Sequence, residues 1–343
     1  MASVAVDGSK FKAVNNRDRN FTKAKMARRM KQIEDSVERY LHQLDSADRQ
    51  EPTQAIASRV ERLHDKIDKL HEEMARLKVL EKRMLKAPDE QISLTDPDAR
   101  SMATSGRGSG VVGYNVQAAV ETDHHLIVAH DVVQTGSDRA QLVPMGQKAR
   151  QALEVDELDV VADRGYFSTG QIKDCADAGI TPTLPKPQTS SNRKKGMFVK
   201  SDFRYVADDD IYICPADERL PWRYVTEENG VTVSRYWTDA CGNCPLKGQC
   251  TTGKERRISR WENEHLVEEM QQRLDENPEA MRQRRETVEH PFGTIKMRMG
   301  ATHFLMKRLK NVKTEMALSV LAYNLTRVMN IIGIRPLMAA IQA

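Results

Sequence analysis

Aromatic side chains are scarce in this chain: Phe, Tyr and Trp together make up 5% of 343 residues. Stacking platforms for sugar rings are correspondingly few, which weighs against glycoside hydrolysis by a carboxylate pair. No apolar run approaches the length of a membrane span, and the start lacks a basic segment followed by an apolar one. The expectation is a cytoplasmic protein without a membrane partner. Cysteine is limited to five residues, which in such a chain points to reduced thiols or a metal rather than to disulfides. A charge of one sign is also missing: the net charge is only +4, weak support for a nucleic-acid partner on its own. The glycines of the stretch from Ser105 to Gly110 are not followed by the Lys-Ser/Thr of a phosphate loop, which excludes that class of nucleotide site.

What is present is 39% hydrophobic and 30% charged residue, the composition of a globular chain with long exposed helices. Basic residues cluster locally at Arg193-Lys194-Lys195, at Lys254 to Arg257 and at Lys307 to Lys310. The chain opens on a β-branched run that ends in Asp7-Gly8, read as a buried strand with Asp7 at its C-terminal end. From Phe21 to about Leu85 the periodicity becomes helical. Met26, Met30, Ile33, Val37, Tyr40 and Leu44 form one heptad seam, and Ile56 through Leu77 form a second. Two antiparallel helices joined by a polar turn follow, able to serve as core or as a dimer seam.

Asp96-Pro97-Asp98 and the glycines up to Gly110 read as a linker. An alternating hairpin spans 111–133, and Asp138 is expected to cap a helix reaching Leu153. A second apolar strand, from Leu158, ends in Asp163 before a glycine turn; a helix and a short strand at 180–184 come next. The order predicts an α/β fold with a mixed sheet and flanking helices. The expected division is 1–20 as first core strand, 21–90 as inserted helical hairpin, 91–185 as core, 186–277 as cysteine-rich β insertion and 278–343 as C-terminal core helices.

The segment from Arg282 to Lys296 reads as the start of a helix. Arg285 lies one turn before Glu289 and Lys296 two turns after it, so all three share one stripe. Pro291 fits the first turn or a local break. A solvated basic helix with incidental acids is the competing interpretation of this segment alone. Two acids at strand ends and a third on this helix would repel one another unless a divalent cation neutralised them. Oxygen-only ligands select Mg²⁺ or Mn²⁺. Glu286 is a rival third acid, about 60° away from the stripe.

These motifs together resemble the DDE transposases of bacterial insertion sequences. Asp7-Gly8-Ser9-Lys10 resembles the family's first-acid motif, and Gly113 to Gln117 with Asp138 its hairpin and following helix. Ala162-Asp163-Arg164-Gly165-Tyr166-Phe167 resembles the second-acid motif, the Arg285, Glu289, Lys296 spacing the third, and Leu321 to Arg327 the closing helix. The resemblance implies an RNase H-like core in which Asp7, Asp163 and Glu289 hold two Mg²⁺ or Mn²⁺ ions. It implies that Arg285 and Lys296 hold DNA, that the chain cleaves transposon ends and joins them to target DNA, and that it works as a homodimer, nucleoid-associated when DNA-bound.

The family pattern has a tyrosine where Arg282 stands here, and a helical DNA-binding region ahead of the first acid. With six residues before Asp7, the expectation is a chain truncated at its N-terminus, and the alternative function is a non-catalytic DNA-binding remnant. The cysteines carry a further expectation. Cys241-x-x-Cys244, then Cys250, with Cys214 as fourth thiol, have a spacing that suits structural Zn²⁺, with unliganded thiols as the alternative. A zinc-stabilised helical assembly protein is the third reading.

Overall fold

A computed structural model describes residues 2–16, 19–49, 53–87, 89–103, 110–188, 190–228 and 230–342. In chain order the elements are β1 (Ala2–Lys12), β2 (Asn20–Thr22), α1 (Lys23–Asp48), α2 (Gln54–Met84), β3 (Gln91–Ser93), β4 (Arg100–Ala103), β5 (Gly110–Glu121) and β6 (Ile127–Val133). They continue with α3 (Leu142–Leu153), β7 (Leu158–Ala162), α4 (Thr169–Asp177), β8 (Ile180–Thr183), β9 (Arg204–Val206), β10 (Ile211–Ile213), β11 (Arg219–Glu228) and β12 (Val231–Tyr236). The last are α5 (Lys247–Cys250), β13 (Ile258–Trp261), α6 (Glu264–Glu276), α7 (Ala280–Gly293), α8 (Leu309–Ile332) and α9 (Ile334–Gln342). The mixed α/β class is therefore present, and the chain divides into two compact units.

The first unit comprises Met1–Val4, Arg139–Arg150 and Glu154–Arg284. Its β7 and β8 pair in parallel, Leu158 opposite Ile180, joined through α4 as a right-sized crossover. Ile172 and Cys175 of α4 are buried, as are Leu158 and Val160 of β7. A five-stranded antiparallel meander follows in the order β13-β12-β11-β10-β9. Phe203, Tyr212, Leu220, Tyr236 and Ile258 form its small core. Helix α6 is fixed at its N-terminus by Glu264, which is 7% exposed. Glu264 accepts from Lys186 at 2.9 Å, pairs with Lys200 at 2.8 Å and also accepts from the Trp261 amide.

The second unit comprises Ala5–Asp138, Gln151–Leu153 and Arg285–Ala343. Strand β5 pairs with β4 along its first residues and with β6 along its later ones, both antiparallel. On β5 every residue from Gly113 to Val120 is buried, so this strand is the centre of the unit rather than half of a solvated hairpin. Its core contains Phe11, Tyr114, Val116, Phe292, Phe304, Val312 and Tyr323. Helices α1 and α2 pack antiparallel: Met26 and Ile33 cluster with Leu77, Leu80 and Met84, while Leu44 clusters with Leu63 and Ile67. Thr22 and Thr53 cap them, accepting from the amides of Lys25 and Ile56. The short pair β2–β3 closes the base of the two helices.

The structure corrects four local expectations. Asp7 stands in the middle of β1, not at its end; Ala2–Lys12 is one strand, because the glycine after Asp7 fills a close approach rather than a turn. The stretch expected as linker contains β4 and a buried acid: Asp96 accepts from the Tyr114 hydroxyl at 2.8 Å and the Arg308 amide at 3.0 Å. The glycines expected in that linker at 105–109 lie outside the described residues. Asp138 does not cap α3; its carboxylate receives Asn115 and Gln117 instead. Pro291 lies inside α7, near its end, and residues Thr294–Arg298 wind as a π-helix. Proline lacks the amide that the preceding turn's carbonyl would receive, and a widened turn nearby is the usual accommodation.

Candidate active site

Every residue of Asp7-Gly8-Ser9-Lys10 has a defined local task. The Asp7 carboxylate accepts the Gly8 amide on Oδ1 at 2.8 Å, which holds its rotamer. Gly8 has no room for a side chain: a Cβ there would lie 2.6 Å from Asp138 Oδ1 and 3.0 Å from Asn115 Oδ1, and would collide with Gln117 Nε2. Ser9 Oγ accepts from Lys296 Nζ at 2.6 Å. Lys10 Nζ reaches Asp138 at 3.4 Å. Asp138 in turn accepts from Asn115 Nδ2 at 2.6 Å and Gln117 Nε2 at 2.7 Å. Two fully buried amides from β5 thereby brace the backbone beside Asp7.

Asn115, Gln117 and Asp138 form a polar layer that the sequence reading did not single out as site residues. The signal was available in the alternation of β5: two polar side chains, Asn115 and Gln117, recur two apart in an otherwise apolar strand. On a buried strand such residues need partners.

Helix α7 presents its apolar face to the core through Val288 and Phe292, with Ile295 just beyond. Arg285 and Glu289 lie on its exposed side, as expected from their i, i+4 spacing. Lys296 does not continue as an exposed member of that stripe. It is half-buried, donates to Ser9 Oγ and to the Lys10 carbonyl at 3.0 Å, and lies 4.4 Å from the centre of the Phe11 ring. Burial lowers the Lys296 ammonium below its ordinary range and the Lys10 charge adds to this, while the Asp7 carboxylate pulls the other way. Arg284 is half-buried and Glu286 is exposed. His290 Nδ1 lies 2.8 Å from the Tyr323 hydroxyl, which donates to the His125 carbonyl at 2.7 Å.

In the other unit, Asp163 follows β7 and caps the single turn Arg164–Tyr166, accepting the Gly165 amide on Oδ1 at 2.7 Å. This is the same device that holds Asp7: a part-buried carboxylate pinned through Oδ1 by a nearby glycine amide. Tyr166 is buried beneath it.

Cys214, Cys241, Cys244 and Cys250, also in the first unit, all line one cavity of about 20 Å³. All are free thiols. Among the described residues no group of three or more His, Cys, Asp or Glu is set closely enough to hold a metal ion as it stands.

The chain belongs to the family described as Transposase DDE domain, which it matches over residues 79–325, more than half its length. The matched residues contain Asp163, Arg285, Glu289 and Lys296; Asp7 lies before them. No curated protein and no solved structure gave a significant match. No single described helix is long and apolar enough to cross a membrane; α8 and α9 reach that apolar length only jointly, with a bend of 112°.

Proposed function

We propose that this chain is a DNA transposase that cleaves phosphodiester bonds at the ends of an insertion sequence and joins them to target DNA. Asp7, Asp163 and Glu289 are its catalytic acids, on an RNase H-like core. The observation that carries the reading is the shared anchoring of Asp7 and Asp163: each carboxylate is fixed by a glycine amide, inside or directly after a buried strand. Rigid strands are where a reacting constellation needs its acids. Glu289 is the third acid, on the exposed face of a helix whose next turns are tied to β1 by Lys296.

The all-carboxylate donor set suits Mg²⁺ or Mn²⁺. Bound in a pair, such ions activate a water or 3′ hydroxyl and stabilise the leaving oxygen. The protein's own part is to hold acids and DNA in place. Arg285, exposed one turn before Glu289, is assigned to a DNA phosphate. Lys296 was expected in the same role from the resemblance; it spans Ser9 and Lys10, so we assign it to positioning Asp7, with any phosphate contact made from that anchored site. Two copies holding two DNA ends would form the active complex.

A second reading, a DNA-binding remnant without chemistry, is favoured by one observation, that Arg282 stands where the family pattern has a tyrosine. Nicking of DNA carrying the element's ends, in Mg²⁺ or Mn²⁺, separates the two. Cleavage by the wild type that vanishes in Asp163→Ala and in Glu289→Ala, with DNA binding retained, is the expected result. DNA binding at low salt with no cleavage in either metal would overturn the catalytic reading in favour of the remnant.

A further inference from the structure

The cysteine cavity takes no part in the site described above, yet it collects four of the chain's five cysteines. They arrive from separate places in the sequence. Cys214 closes the β10 end, Cys241 and Cys244 belong to the short turn after β12, and Cys250 ends α5. Four thiols converging by chance in a domain this small is a poor explanation, since each could be any small apolar residue if packing were its only role.

Local geometry around the sulfurs adds a second observation. The Ala216 amide donates to Cys214 Sγ at 3.4 Å, inside the tight turn Cys214-Pro215-Ala216-Asp217. Such an N–H fixes the direction in which the sulfur points. The turn after Cys244 is built likewise on proline, with the Lys247 amide on the Cys244 carbonyl. Lys247 and Arg256 also line the cavity, two cations suited to the net double negative charge of a divalent ion with four thiolates. The cavity itself is about 20 Å³, room for about one water-sized particle.

We propose that Cys214, Cys241, Cys244 and Cys250 bind one Zn²⁺ as a closed, structural tetrahedral site that staples the β9–β13 meander. The ion replaces four S–H protons, which leave to solvent, and no electron is transferred. The four cysteines line the walls of the cavity that the ion would fill. The site is expected to stabilise the meander, whose apolar core cluster of Phe203, Tyr212, Leu220, Tyr236 and Ile258 is small. It would also serve no redox purpose, since all its positions are filled by protein. This inference is independent of the transposase reading and uses no DNA.

The test is metal content and thiol reactivity of the full chain purified without chelator from zinc-supplemented growth. The expected result is about one zinc per chain, native protection of four thiols from a disulfide reagent, and their release together when a mercurial displaces the metal. Cys175, fully buried, is the internal control that stays unreactive in the native chain with or without metal. Replacing zinc by Co²⁺ should give thiolate-to-cobalt charge-transfer absorption at the strength of four thiolates, reduced in Cys244→Ser. A folded, metal-free chain in which four thiols react freely would overturn the proposal. So would a metal that dissociates on gel filtration and leaves those thiols and the thermal midpoint unchanged.

Discussion

Lys296 Nζ donates to Ser9 Oγ at 2.6 Å, joining the π-helical turn after α7 to the strand that carries Asp7. The two residues are 287 positions apart in sequence. The same ammonium reaches the Lys10 carbonyl and lies over the Phe11 ring. A residue expected to face DNA is thus part of the scaffold that sets Asp7 against the helix of Glu289.

Replacing Lys296 by Met should therefore lower stability as well as activity. Two hydrogen bonds and a cation–π contact are lost, and Ser9 is left without its donor, a cost of about 2 kcal/mol. The urea midpoint of Lys296→Met reports this directly. An unchanged midpoint together with weakened DNA binding would instead make Lys296 a DNA contact only.

Gly8→Ala should damage the same region by steric means. The added methyl meets Asp138, Asn115 and Gln117, whose hydrogen bonds hold them in place. Overpacking of this kind costs about 1–3 kcal/mol, and the displaced strand should carry Asp7 out of position. The expected outcome is a lower thermal midpoint with a loss of metal-dependent cleavage larger than the stability loss explains.

Acid should weaken the first unit through Glu264. Burial raises this carboxyl, but Lys200 and Lys186 outweigh burial and hold it at about 2, below its ordinary 4.5. Its folded value is depressed, so its contribution is full above the ordinary value and is lost as pH falls from there through about 2. The difference corresponds to about 3 kcal/mol. Glu264→Gln should flatten that part of the stability–pH curve, and it should cost about 3–5 kcal/mol at neutral pH by leaving two lysines without their partner.

His290 gives a second pH dependence with the opposite chemistry. Burial, then Arg327, His125 and Arg298, lower it below its ordinary 6.5. The unfolded chain takes up the proton first, so stability from this group is full above that value and declines as pH falls through it towards the folded value. Tyr323→Phe removes the hydroxyl that both His290 and the His125 carbonyl use, at a cost of about 1–2 kcal/mol. Proton titration of His290 by NMR should show its folded value below the ordinary one.

Much of this architecture was readable before any coordinates. Heptad spacing located α1 and α2 because two long apolar seams admit few other arrangements. Strand β7, with Asp163 directly after it, was legible from its apolar run and the following glycine. The placement of Asp7 was not, since a glycine after an acid signals a turn far more often than a close approach to side chains from another strand. Nor was the role of Asp138. An acid shortly before a helix reads as a cap, and only tertiary contact reveals that Asn115 and Gln117 claim it. Lys296 was put on the Arg285–Glu289 stripe by ideal helix geometry, which the π-helical segment breaks.

The most direct measurement maps where a metal sits. Fe²⁺ is exchanged for Mg²⁺ in the folded chain, and ascorbate with peroxide then cuts the backbone near the ion. The cuts are located by mass spectrometry. If Asp7, Asp163 and Glu289 form one site, cuts appear beside all three and are suppressed together by excess Mg²⁺ and by Asp163→Asn. Cuts beside only one of the three, or cuts that Mg²⁺ does not compete away, would contradict a shared three-acid centre.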